Sequence, residues 1–248
     1  MAKGKTADLD AGVAERLKSA HPLFLIHVLT ALGAPIALLA LLAGSRGDWS
    51  MLFVWLGIAL VSDGIDGPLA RRFDIARRMP QWSGASLDFV IDYATYVFLP
   101  AFALAASGML STPWNWICGG LVVFTGALYF ADNGMKQPDG SFKGFPAGWN
   151  MVVFGLMVLS SSEVFTVIFV VALCALTFAP IRFVHPVRVV KWRILTLAMT
   201  LVWFIAAGFA IANGMSAEGV VKWMLAVSSV YLLCVSAVQQ GLDALRGA

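Results

Sequence analysis

The chain has 248 residues, 60% of them apolar and 12% charged, with a net charge of +3. Soluble domains carry about one quarter charged residues, so this composition excludes a soluble enzyme and offers no basic face for nucleic acid. Cys118, Cys174 and Cys234 fall in apolar segments without metal-ligand spacing, which excludes a disulfide framework and reads as buried thiols.

In chain order, Leu9, Val13 and Leu17 recur every fourth residue among Lys3, Lys5, Asp8, Asp10, Glu15, Arg16 and Lys18. That spacing predicts an amphipathic juxtamembrane segment over residues 1–20, lying on the bilayer surface. The segment lacks the apolar core and cleavage site of a secretory signal, so its removal is not expected. Residues 21–248 then read as one polytopic membrane domain of the all-α class. Eight spans are expected, at about 22–44, 50–70, 84–107, 114–132, 147–161, 164–181, 194–213 and 219–239; most approach the ~20 residues needed to cross a bilayer, and the fifth is the shortest. His27, a third of the way into the first span, reads as a packing residue.

The second and third spans carry the chemistry. Asp63 and Asp66 are spaced i,i+3, and Asp88 and Asp92 i,i+4, so each pair shares one helix face. An ionised carboxylate at the centre of a membrane helix costs roughly 2.5–3.5 kcal/mol by insertion scales, so four of them demand a function. Between the pairs, residues 71–83 form a basic stretch broken by Pro80, a turn at the membrane surface that makes the two helices antiparallel neighbours. At ~1.5 Å per residue, Asp66 and Asp88 lie ~6–8 Å below that surface and Asp63 and Asp92 ~12 Å below it. Four carboxylates converging at matching depth repel one another unless cations neutralise them, and oxygen-only ligands favour Mg²⁺, Mn²⁺ or Ca²⁺. A proton relay, or carboxylates paired with Arg71 and Arg72, is the alternative. Gly64 and Gly67 leave space beside the acids, Pro68 loosens the helix at Gly64, and Arg71 offers a phosphate-binding fork.

Asp63-x-x-Asp66-Gly67-x-x-Ala70-Arg71 followed by Gly84-x-x-x-Asp88-x-x-x-Asp92 resembles the signature of the CDP-alcohol phosphotransferases. The resemblance implies a membrane enzyme that moves a phosphatidyl group from CDP-diacylglycerol to an alcohol. It implies two divalent ions, Mn²⁺ or Mg²⁺, held by Asp63, Asp66, Asp88 and Asp92, with Asp92 also the general base. It further implies that Gly67, Ala70, Arg71 and Gly84 bind CDP-diacylglycerol. Most members place about eight residues between the arginine and the second glycine, whereas Arg72 to Ser83 makes a longer gap. That gap is similar to the one in bacterial members that condense CDP-diacylglycerol with free choline. Similarity continues through Gly144-Phe145-Pro146-x-x-Trp149-Asn150 and His185-Pro186-Val187-Arg188, and covers nearly all of the chain after residue 20.

A quaternary ammonium is held by aromatic faces, and among the rings bordering the site Tyr93 and Trp149 are the first candidates for choline. Competing readings are transfer to serine, inositol or glycerol phosphate, and a cation transporter, although no repeat and no acid-lined route through both faces accompanies the aspartates. Placing the N-terminus inside puts every Lys and Arg of the 17 except Arg46 and Lys222 on the cytoplasmic side, as the positive-inside bias requires. The site then opens to the cytoplasm at the bacterial inner membrane. The loops 132–150 and 182–193 lie on that side, the first able to close over a substrate and the second at headgroup level. Gly119, Gly120 and Gly126 permit close helix approach and hence a homodimer.

Overall fold

The computed structural model describes residues 23–137, 141–183 and 191–247. The expected amphipathic segment at 1–20 and His185 to Arg188 lie outside the described residues. Among the described residues six helices are long and apolar enough to cross a membrane: α1 Leu23–Gly44, α2 Trp49–Arg72, α3 Gly84–Ala106, α4 Trp114–Ala131, α7 Arg193–Ala212 and, within α8 Gly219–Gly247, the stretch to Leu245. Two shorter apolar helices, α5 Trp149–Val158 and α6 Glu163–Leu176, stand where the fifth and sixth spans were expected. The protein is therefore an all-α integral membrane protein.

The two short helices depart from the expectation of eight full spans. Their 10 and 14 residues reach only about 15 and 21 Å at 1.5 Å per residue, short of a ~30 Å hydrocarbon core. Hydropathy made them look longer because apolar residues continue into their turns, at Leu159 and from Thr177 to Ile181. Before α5 the chain runs as irregular backbone from Phe145 to Gly148, with Phe145 and Ala147 buried. Such backbone is tolerated at membrane depth where protein encloses it. Here the Phe145 amide donates to the Leu176 carbonyl and the Trp149 amide to that of Ala147.

Helix starts follow local chemistry. Asp48 caps α2 by accepting from the Met51 amide, Ser83 caps α3 by accepting from Ser86, and Ser162 caps α6 by accepting from Phe165, each satisfying an otherwise orphaned donor. The stretch between α2 and α3 is a folded connector. A single helical turn at Ile75–Arg78 tucks Ile75 and Met79 inward, leaving Arg77 and Arg78 exposed.

The core gathers around α5. Trp149 and Val153 are fully buried, and Phe154 sits edge-on to Phe53 of α2 at 5.1 Å and 5.5 Å from Trp203 of α7. Helices α1 and α2 pack along each other, and α3 lies against α1, α4 and α5. Gly119 and Gly126, candidates for self-association, face α3 within the chain: a Cβ on Gly126 would overlap Val97, and one on Gly119 would crowd Ala105.

A short antiparallel ribbon closes one face. β1 Phe142–Lys143 pairs with β2 Arg182–Phe183, Phe142 opposite Phe183. Because β1 precedes α5 and β2 follows α6, this pairing returns both ends of the α5–α6 pair to the same face. The face also gathers the C-terminal part of α8, where the Gln240 side chain donates to the Arg182 carbonyl and accepts from its amide, and Lys191 pairs with Asp243 at 2.6 Å.

Gly144 sets how closely the ribbon approaches α6. Its φ is +72°, and a Cβ there would collide with the Thr177 carbonyl. Gly214, at φ +67°, has open space around it. Gly214→Ala should therefore carry only the left-handed backbone penalty, about 1–2 kcal/mol, whereas Gly144→Ala should lose more and lower the thermal midpoint of detergent-purified protein further. Equal midpoints would show that the ribbon yields freely at Thr177.

Candidate active site

Asp63 on α2 and Asp88 and Asp92 on α3 bring carboxylate oxygens within 4.8 Å of one another. All three are half-buried. Asp66, buried more deeply, falls outside that three-oxygen group yet lines the same pocket, together with Thr30 and Gly33 of α1, Ala59, Ser62 and Ile91. The structure thus brings the four acids to one pocket, three of them close enough to share an ion. The donor set is carboxylate oxygen throughout, which fits a hard divalent cation. Gly33 lets α1 close over the site, since a Cβ there would overlap the branched Ile91 side chain.

Two basic residues, Arg71 and Lys136, differ in how they stand to the acids. Arg71 folds back along α2, so that a Cβ on Gly67 would lie 3.4 Å from its guanidinium; it forms no ion pair with the aspartates among the described residues. The alternative of acids neutralised by Arg71 and Arg72 is not the arrangement observed. Lys136 instead reaches from the loop after α4, its Nζ 3.9 Å from Asp88 Oδ2 and 5.2 Å from the centre of the Phe89 ring. The pair is half-exposed, and such pairs contribute about 0–1 kcal/mol, so Lys136 can leave without unfolding the loop. Gly84 opens toward the His27 ring, 3.3 Å from where its Cβ would be, and Ala70 is half-buried on α2.

Neither proposed choline ring lines the aspartate pocket. The Tyr93 hydroxyl donates to the Val123 carbonyl of α4 at 3.1 Å and its ring sits edge-on to Phe130. Trp149 is fully buried, 5.2 Å from Phe145, with its indole nitrogen unpartnered. Sequence reasoning missed two contacts with the acids. Tyr96 donates to Asp63 Oδ2 at 2.8 Å; its position four residues after Asp92, on the same helix face, was the available signal. Lys136 gave none, because its approach depends on how the loop folds.

The family model for CDP-alcohol phosphatidyltransferases matches residues 22–179, which contain every acid and glycine of the pocket. The chain belongs to this family. It is 48% identical to the phosphatidylcholine synthase of Rhizobium meliloti (strain 1021) over 188 residues, 76% of this chain and 78% of the relative. It is 41% identical to that of Rhizobium johnstonii over 222 residues, 90% of this chain and 92% of the relative. With the phosphatidylcholine synthase of Pseudomonas aeruginosa it shares 38% identity over 188 residues, 76% of this chain and 79% of the relative.

The three-oxygen group ranks the acids. Asp63→Asn and Asp88→Asn should each abolish Mn²⁺ binding to substrate-free protein with insertion and folding intact, because the amide keeps the size and removes the charge. Asp66→Asn should weaken binding less. Calorimetric titration of the three variants checks the order, and an Asp66 variant as deficient as the others would place Asp66 in the same ion's ligand set.

Proposed function

We propose that this protein is a phosphatidylcholine synthase, transferring the phosphatidyl group of CDP-diacylglycerol to choline with release of CMP. The observation that carries the reading is the convergence of Asp63, Asp88 and Asp92 from two helices, in a family member whose relatives at up to 48% identity are phosphatidylcholine synthases.

Asp63, Asp66, Asp88 and Asp92 would hold two divalent ions, Mn²⁺ or Mg²⁺, as in the family signature; the carboxylate donor set supports this. Bound there, such ions would supply positive charge to the diphosphate as it is displaced. Arg71 meets the phosphate next to them with its fork of donors. Gly67, Ala70 and Gly84 leave room for the ribose and cytosine. Asp92 accepts the hydroxyl proton of choline as its oxygen bonds to the phosphorus bearing diacylglycerol, and the phosphorus–oxygen bond to CMP breaks. Choline is held by ring faces. Tyr93 and Trp149 are the candidates the sequence offers, but neither lines the aspartate pocket and Trp149 is fully buried, so choline KM in their Ala variants decides whether they take part. The site faces the cytoplasm at the bacterial inner membrane; the crowding of basic residues toward the ribbon face supports this orientation.

Purified protein given CDP-diacylglycerol, Mn²⁺ and, in turn, choline, serine, inositol or glycerol 3-phosphate should make phosphatidylcholine from choline and no lipid from the others. Chelation should abolish transfer and Mn²⁺ or Mg²⁺ restore it. A different lipid product would reassign the acceptor and leave the family chemistry in place. Within the same assay, Asp92→Asn should lower kcat by about 10²–10⁴-fold, as loss of a general base does, while CDP-diacylglycerol still binds. Arg71→Ala should instead raise the CDP-diacylglycerol KM.

A further inference from the structure

We infer that Tyr96 is a positioning residue for the metal site, its hydroxyl fixing the carboxylate of Asp63 across the α2–α3 seam; the inference rests on the metal reading of the acids. Asp88 and Asp92 come from adjacent turns of α3, whereas Asp63 is the sole member of the three-oxygen group supplied by α2. It therefore has to be turned toward two like charges, and repulsion favours every rotamer that points elsewhere. The Tyr96 hydroxyl donates to Asp63 Oδ2 at 2.8 Å. A donor to an ionised carboxylate makes a strong bond, and it occupies one of about four lone-pair sites on the two oxygens, leaving the rest for an ion.

The backbone explains why a tyrosine at this position reaches Asp63. Tyr93–Phe98 forms a wide turn inside α3, in which the Leu99 amide donates to the Ala94 carbonyl, five residues back. Pro100 has no amide to return to the Tyr96 carbonyl and its ring would press on it, so the α-helical ladder cannot run through this point. Wide turns of this kind are frequently found at functional sites. Here the turn begins directly after Asp92 and carries the tyrosine that contacts Asp63.

The experiment reads Mn²⁺ binding to substrate-free protein from the paramagnetic resonance of unbound Mn²⁺, for wild type, Tyr96→Phe, Tyr231→Phe and Asp88→Asn. Tyr231 lies on α8 and shares a hydrogen bond with Thr196 at 3.0 Å, so its variant controls for the loss of a tyrosine hydroxyl bond far from the acids. Tyr96→Phe should bind Mn²⁺ about 10–100-fold more weakly, the usual loss on removing a group that orients a ligand. The Mn²⁺ needed for half-maximal transfer should rise by a similar factor, with kcat at saturating Mn²⁺ near that of wild type. Tyr231→Phe should leave the Mn²⁺ affinity unchanged. If Tyr96→Phe binds as wild type does while Asp88→Asn loses binding, the metal site stands and the positioning role is overturned. If wild type itself does not bind Mn²⁺, the metal reading fails, and the inference with it. Should Tyr96→Phe not fold, Pro100→Ala decides in its place: restoring the amide straightens the turn and should weaken Mn²⁺ binding, and an unchanged affinity would again overturn the role.

Discussion

Three carboxylates drawn within 4.8 Å of one another inside a membrane domain are the constraint on which the rest of the structure depends. Each costs solvation energy in an apolar helix, and together they repel, so the helices bearing them have to be held in place by contacts elsewhere. Helix α1 closes over the pair because Gly33 presents no side chain to Ile91. Behind them, α5 anchors α2 through Phe53 and Phe154 and packs against α3. The apolar burial around α5 thus offsets a site that on its own pushes its helices apart.

The membrane face that carries the acids is built from parts distant in sequence. The ribbon joins the segment before α5 to the one after α6, and Gln240 ties that ribbon to α8. From the same loop as β1, Lys136 reaches Asp88. The backbone around Lys136 is held by its pairing with Phe142 and by buried Met135, so only the Lys136 side chain, in a weak, half-exposed pair, is free to leave Asp88 without loss of the fold. The connector between α2 and α3 is held as well. Ile75 and Met79 pin it inward, which fixes the height of the two acid-bearing helices relative to each other.

Much was legible along the chain because membrane helices are read from local composition. The bounds of α1 to α4 and α7 follow hydropathy within a few residues, whereas α8 runs to Gly247, past the expected end at 239; the acids stand out because charge in such segments is rare. Their i,i+3 and i,i+4 spacings alone place each pair on one face. The shortness of α5 and α6 was not legible, since an apolar turn and an apolar helix have the same hydropathy. Nor was the ribbon, whose two-residue strands pair residues some forty positions apart.

What the sequence by itself determined is the membrane class, the family signature and the identity of the acids, because those are properties of residue type and short-range spacing. Only the tertiary structure decided which acids share a cluster, that Asp66 stands slightly apart, and that Tyr96 rather than Tyr93 touches an acid. Those outcomes depend on the rotation of α3 about its axis, which the wide turn at Tyr93–Phe98 and the packing against α1 and α4 set. Rotation about an axis is a relation between helices, so the four-residue spacing from Asp92 could mark Tyr96 as a candidate, and only the packing of α3 could select it.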